Sequence, residues 1–328
     1  MKQHPFGKLP CLVSEIGFGA WQIGSAWGDV SEEDGKAALN ASLDAGVNFI
    51  DTADVYGDGR SETIIREVLK ARGGARPFVT TKAGRRLNPH TVEGYTRKNL
   101  EAFIDRSLQN LGVECLDLLQ LHCPPPEAYY SPALFQAVDE IQKAGKIKAY
   151  GVSVEKVEEA LKAIEFPNVV SVQIIYNLFR QRPAELFFKE AKRKNIAVIA
   201  RVPLASGLLS GKITAATKFA ADDHRAFNRH GEAFDVGETF AGVPLEVGLQ
   251  AVEEIRALVP AGASMAQFAL RWIVMNDAVT VVIPGARNAD QARANAEAAN
   301  LAPLSADVMA AANEVYERLV KPHVHQRW

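Results

Sequence analysis

Two hydrophobic patterns alternate along this chain. Short apolar runs such as V-N-F-I (47–50), F-V-T-T (78–81) and C-L-D-L-L-Q-L (115–121) read as buried strands. Between them apolar residues recur at helical spacing, as at Leu100, Phe103, Ile104, Leu108 and Leu111. The pattern predicts strands at Ile16–Ala20, 47–50, Phe78–Thr81, Cys115–Leu121, Ile147–Val152, Val169–Ile175, Ile196–Ala200 and Val279–Ile283. Ser31-x-x-Asp34 starts a helix that Gly46 stops. Further helices are predicted over 61–71, 94–110, 132–144, from Ser153 to Ala163, and over 184–194, 245–258, 263–275, 288–299 and 305–319. A small hairpin precedes the first strand. Strands alternating with helices predict a parallel sheet with helical crossovers. Eight such units in 328 residues favour an α/β fold of the closed (β/α)8 TIM-barrel type. We read residues 1–328 as a single domain with an N-terminal β-hairpin and extra C-terminal helices. The helix-poor segment 207–244 exceeds ordinary loop length and reads as a lid or as disorder, including Lys218–His230. The tail H-V-H-Q-R-W reads as a frayed terminus rather than a metal site, and no metal is expected.

The strand ends are not apolar. They carry Asp51, with Tyr56 just beyond, then Lys82, His122, Ser153, Gln173 and Arg201. A parallel barrel brings such positions to one rim. A phenol is a weak acid, with a reference pKa of about 10, and a nearby ammonium stabilises its phenolate and lowers that value. A carboxylate keeps the ammonium charged and placed, and an imidazole hydrogen-bonds a substrate oxygen or shares the proton. Asp51, Tyr56, Lys82 and His122 thus form a set able to protonate a developing alkoxide, the partner of hydride transfer to a carbonyl. Singly, each has an ordinary reading as a cap, a packed ring or a solvated side chain.

Composition narrows the setting. A formal charge of −2 gives no general case for nucleic acid or membrane surfaces. No apolar run approaches the roughly 20 residues of a membrane helix. Three cysteines without a Cys-x-x-Cys read as reduced thiols, and the expected location is cytoplasmic.

At this point the chain resembles the aldo-keto reductase superfamily over nearly its full length. F-I-D-T-A-D-V-Y-G-D-G-R-S-E resembles the family's first signature, and Lys82 in V-T-T-K and His122 in L-L-Q-L-H match its remaining catalytic residues. The resemblance implies a bacterial-type barrel binding NADP(H) without a Rossmann domain. It implies hydride delivery to a small aldehyde or ketone, with Tyr56 as acid and Asp51 and Lys82 tuning it.

It also implies cofactor positions. Ser153 and Gln173 match the nicotinamide carboxamide partners, although the chain reads G-V-S-V where Gly-x-Ser-Asn is usual, so Val154 lacks an amide. Arg201 stands where many members place an aromatic on the nicotinamide. A cation there is expected to favour the reduced cofactor or to meet an acidic substrate group. P-L-A-S-G-L-L-S-G-K resembles the pyrophosphate loop, with Pro203, Leu204, Ser206, Gly207 and Lys212 as contacts. Gly285 and Arg287 fall at the adenosine 2′-phosphate position, where the following helix start assists, and Gln291 and Asn295 match the adenine contacts.

G-F-G-A-W-Q-I-G superficially suggests a nucleotide loop, but the spacing is not G-x-G-x-x-G and no helix is expected to open there. Trp21 either faces the substrate pocket or packs. Tyr129, with Tyr130, either lines that pocket or packs in its loop. Two other readings stand beside the reductase. One is a cofactor-binding regulatory subunit, like the channel β-subunits built on this fold. The other is a metal-dependent barrel hydrolase using Asp51, Asp54 and His122.

Overall fold

The computed structural model describes residues 1–24 and 30–328. Strands β1 (Gln3–Pro5) and β2 (Leu12–Ser14) pair as an antiparallel hairpin. Eight further strands follow in chain order: β3 (Phe18–Gly19), β4 (Phe49–Asp51), β5 (Phe78–Ala83), β6 (Leu118–His122), β7 (Tyr150–Ser153), β8 (Val169–Ile175), β9 (Ala197–Arg201) and β10 (Val281–Val282). All eight are parallel, each hydrogen-bonded to the next, from β3 at one edge to β10 at the other. Parallel bridges Ile16↔Val282 and Gly19↔Gly285 join the two edges and close the (β/α)8 barrel. The seam is tight. A Cβ on Gly19 would lie 2.7 Å from the Ile283 carbonyl oxygen.

The strands obey a period of two. Ile50, Val79, Leu119, Leu121, Val152, Val172 and Ala200 belong to the large cluster under the helices. Their neighbours point inward. At the lower end Phe49, Leu118, Ala197, Ile199 and Val281 form a second cluster, which Phe6 of the hairpin plugs by packing on Phe49 and Phe78. At the upper end the inward positions turn polar, with Lys82 beside Gln120 and His122 beside Ser153 beside Gln173 in register. The barrel is thus closed at one end by apolar side chains and chemically furnished at the other.

Local chemistry sets the helices. Ser31 caps Glu32–Asp44, whose first turn holds Glu32, Glu33 and Asp34 against the helix dipole. Thr96 and a left-handed Gly112 bound Arg97–Leu111. Ser264 and Gln267 make a capping box for Met265–Val274.

Three expectations change. The first barrel strand stops at Gly19, and a one-turn helix, Trp21–Gly24, does open there. The segment 207–244 is ordered by short helical turns, including His224–Phe227, Val236–Glu238 and Phe240–Gly242, with His224 and Asn228 fully buried. The C-terminus is not frayed. Trp328 is 4% exposed, its indole N–H donates to Asp235 at 2.8 Å, and Arg180 lies over its ring at 3.8 Å. Arg182 donates to the Trp328 carbonyl at 2.6 Å, while Tyr316 and Glu185 hold His325. Gly242 sits at φ +78 under the Trp328 ring, where a Cβ would approach a ring carbon to 2.4 Å.

A buried terminal tryptophan of this kind is a stability element. Trp328→Ala should cost about 3–5 kcal/mol in urea unfolding. An unchanged midpoint would return the tail to a frayed terminus.

Candidate active site

Asp51 is the last residue of β4 and Lys82 lies near the end of β5, so the barrel register brings them together from 31 positions apart. The Lys82 ammonium donates to Asp51 at 2.6 Å, to the Thr52 carbonyl at 2.9 Å and to the Tyr56 hydroxyl at 3.4 Å. Lys82 is fully buried. Burial alone would push its pKa down, but the Asp51 carboxylate and the Tyr56 oxygen together offset this and hold it above the ordinary value. Asp51 is fixed in turn by the amides of Gln173 at 2.7 Å and Gln120 at 3.1 Å.

Tyr56 stands on the turn after β4, with His122 edge-on to its ring at 6.0 Å and Trp21 stacked at 6.1 Å. The pKa expectation is reversed here. Burial pushes the phenol above its ordinary value, and the Lys82 ammonium pulls it back only in part, because Asp51 and Glu238 also act against ionisation. The phenol therefore stays protonated. Burial, with Arg85, Lys82 and Arg201 nearby, drives His122 well below the usual imidazole range. The ring is neutral, and its Nδ1 is buried without a protein partner.

A cleft of about 410 Å³ runs from these groups across the rim. Of the site residues expected from sequence, all line it except Lys82, which lies beneath Tyr56, and Tyr129. Tyr129 is a correction. The 3-10 turn Pro126–Tyr130 points it inward, where its hydroxyl donates to the Ser153 carbonyl at 3.3 Å, while Tyr130 faces outward at 67% exposure. Trp21 does face the cleft.

Pro203, Leu204, Ser206, Gly207 and Lys212 form one wall. Val202, Ala205 and Ser206 have φ of 51°, 46° and 53°, and Gly207 has 97°. A run of left-handed residues is costly and is typical of backbone shaped around a ligand. The Ser206 hydroxyl is committed elsewhere, donating to the Glu238 carbonyl at 2.9 Å and accepting from Phe240 N–H at 3.1 Å. Gly285, Arg287, Gln291 and Asn295 also line the cleft. Gln291 accepts from the Arg287 backbone at 2.9 Å and Asn295 donates to the Gly285 carbonyl at 3.0 Å. Val154 is fully buried.

Arg201 lines the cleft and is paired there with protein acids, Glu155 at 2.7 Å and Glu238 at 3.5 Å. Arg85 joins the same pair, at 3.1 Å from Glu155 and 2.6 Å from Glu238. Burial opposes ionisation of Glu238, yet Arg85 and Arg201 hold its carboxyl well below the usual range. Gln120, Arg85, Glu155 and Glu238 were not singled out from sequence. Gln120 alone left a local signal, a polar residue within an apolar strand. Cys123, Glu155 and Glu238 make up the one group of candidate metal-ligating atoms among the described residues, so Asp51, Asp54 and His122 do not assemble the hydrolase site considered above.

These features describe a (β/α)8 barrel with an acid–base constellation at its rim. The chain belongs to the aldo/keto reductase family, whose model matches residues 15–317. Aldo-keto reductase YhdN of Bacillus subtilis is 30% identical over 290 residues, 87% of this chain and 85% of that protein. A solved glycerol dehydrogenase from Gluconobacter oxydans is similar with a TM-score of 0.77 at 26% identity, covering 98% of this chain and 96% of that one. A probable voltage-gated potassium channel subunit beta from Oryza sativa is 28% identical over 319 residues, 93% of each chain. Membership supports an oxidoreductase acting on carbonyl groups. Among the described residues no helix is long and apolar enough to cross a membrane.

Asp54 is fully buried, and neither carboxyl oxygen has a hydrogen-bond partner. Burial, with Glu62 adding to it, pushes its pKa to about 7. The value is raised on folding from about 3.9, so the stability this group contributes is present below about pH 4 and is lost as pH rises to about 7. Asp54→Asn should therefore gain on wild type in thermal melts as pH rises from 4 to 8. A pH-independent difference would rule out a proton held at Asp54.

Proposed function

We propose that this chain reduces small aldehydes or ketones to alcohols, and runs the reverse reaction, with NADP(H) as cofactor and Tyr56 as proton donor. One observation carries the reading: a protonated phenol in contact with a buried, carboxylate-held ammonium, beside a neutral imidazole.

The bound cofactor supplies the hydride. The cleft suits such a molecule because one continuous cavity is lined by the acid–base groups, by the strained 202–207 loop and by Lys212 and Arg287. Ser153 and Gln173 would hold the nicotinamide end, with Gln173 dividing its amide between cofactor and Asp51. Loop amides from Leu204 to Lys212, with Pro203 packing beside them, would hold the pyrophosphate, Arg287 the 2′-phosphate, and Gln291 and Asn295 the adenine.

His122 donates a hydrogen bond to the carbonyl oxygen, polarising the bond and excluding water from that edge. As negative charge grows on this oxygen, Tyr56 transfers its hydroxyl proton to it. The phenolate left behind is stabilised by Lys82, whose charge Asp51 maintains. Lys82 thus acts mainly on the ionised product of proton transfer, which reconciles a phenol that stays protonated at rest with an acid that works. Trp21 would border the substrate.

Tyr56→Phe should lower turnover with an activated aldehyde such as a nitrobenzaldehyde by about 10²–10⁴-fold while NADPH still binds. A variant keeping most of its rate would remove Tyr56 from the role. Arg287→Ala should raise KM for NADPH far more than for NADH, and an equal rise would remove its 2′-phosphate contact. A wild type that binds NADPH yet turns over no member of a broad carbonyl panel would point instead to a regulatory subunit.

A further inference from the structure

A nicotinamide changes charge during the reaction, neutral when reduced and cationic when oxidised. On the NADP(H) reading above, on which this inference rests, the ring lies at the Tyr56 end of the cleft. Arg201 lines that end with Ser153 and Gln173, and its field reaches His122. An uncompensated guanidinium there would repel the oxidised ring and leave the reduced ring nearly unaffected.

The protein compensates it. Two guanidinium groups, Arg85 and Arg201, face two carboxyl groups, Glu155 and Glu238, within 2.6–3.5 Å. Glu155 is a barrel residue just past β7. Glu238 is delivered by the long segment, lines the cleft and acts electrostatically on Tyr56. Burial, opposed by Arg201, pushes the Glu155 carboxyl up, and Glu155 is not among the residues lining the cleft. Glu238 faces both guanidinium groups and is the carboxylate of the cluster that lines the cleft. Its position is held from outside by Trp328 on Asp235 and by Arg180, which donates to the Ala241 carbonyl at 3.1 Å.

We propose that Glu238, clamped between Arg85 and Arg201, is a positioning residue that sets the relative affinity for oxidised and reduced cofactor by cancelling the charge of Arg201 beside the nicotinamide. Without it the cleft loses the carboxylate lining it beside Arg201, the local charge becomes more positive, and the oxidised cofactor is penalised more than the reduced one. The segment 207–244 then has an electrostatic duty as well as a covering one.

The test is the pair of dissociation constants for NADPH and NADP⁺, read by quenching of tryptophan fluorescence in wild type, Glu238→Gln and Arg201→Met. Glu238→Gln should raise the ratio Kd(NADP⁺)/Kd(NADPH) by about tenfold, the effect of a unit charge roughly 10 Å away at an effective dielectric constant near 20. That shift equals about 30 mV in the potential of the bound couple. Arg201→Met should move the ratio the opposite way. A merely structural Glu238 would weaken both cofactors in equal proportion, and an unmoved ratio in Glu238→Gln overturns the proposal whatever Arg201→Met does. A wild type that binds neither cofactor overturns the NADP(H) reading and this inference with it. A wild type that binds both, with ratios unmoved, overturns this inference alone.

Discussion

The buried ion pair between Lys82 and Asp51 is the constraint on which the rest of the site depends. Both side chains are almost wholly withdrawn from water, at 1% and 4% exposure. Placing charges there is costly unless the geometry is good and the remaining hydrogen-bonding positions are filled. They are filled. Lys82 reaches a backbone carbonyl and the Tyr56 hydroxyl, and Asp51 accepts from two glutamine amides on β6 and β8. Four strands therefore contribute to one charge pair. Removing either partner would strand the other, a loss of about 3–5 kcal/mol. The chemistry and the integrity of the upper barrel are in this sense the same interaction.

A second set of charges lies outside that pair. Arg85, Glu155, Arg201 and Glu238 bind the long segment 207–244 to the barrel rim from within, while Trp328 and Arg180 grip it from without. Ser206, from the strained cleft loop, adds hydrogen bonds to the Glu238 carbonyl and from the Phe240 N–H. A segment that lacks long helices thereby acquires fixed geometry from its contacts instead of from its own propensity. That geometry also packs Phe234 edge-on against Trp21, which lines the cleft.

Much of this was legible in the sequence, for a physical reason. A barrel strand exposes its pattern locally: apolar on the helix side throughout, apolar then polar on the inner side. Asp51, Lys82, His122, Ser153 and Gln173 each break an apolar run at the same end, so they line up even in one dimension. What was not legible depends on pairing across distance. Arg85 and Glu238 are separated by 153 positions, and nothing near either residue announces the other. Trp328 looked like the loose end of a polar tail because its partner, Asp235, lies 93 positions away. Tyr129 and Tyr130 are adjacent and chemically alike, and only the turn that carries them decides which is buried. The direction of the Tyr56 shift needed burial weighed against one ammonium and two carboxylates. The ammonium was visible in the sequence and the burial was not.

The most direct measurement of the central claim is a crystal structure with NADP⁺ bound. The nicotinamide is expected against Ser153, Gln173 and Arg201, its reactive carbon open toward the Tyr56 hydroxyl and His122, with Lys82 still on Asp51. A nicotinamide bound away from Tyr56, or a Tyr56 hydroxyl turned from Lys82 in that complex, would contradict it.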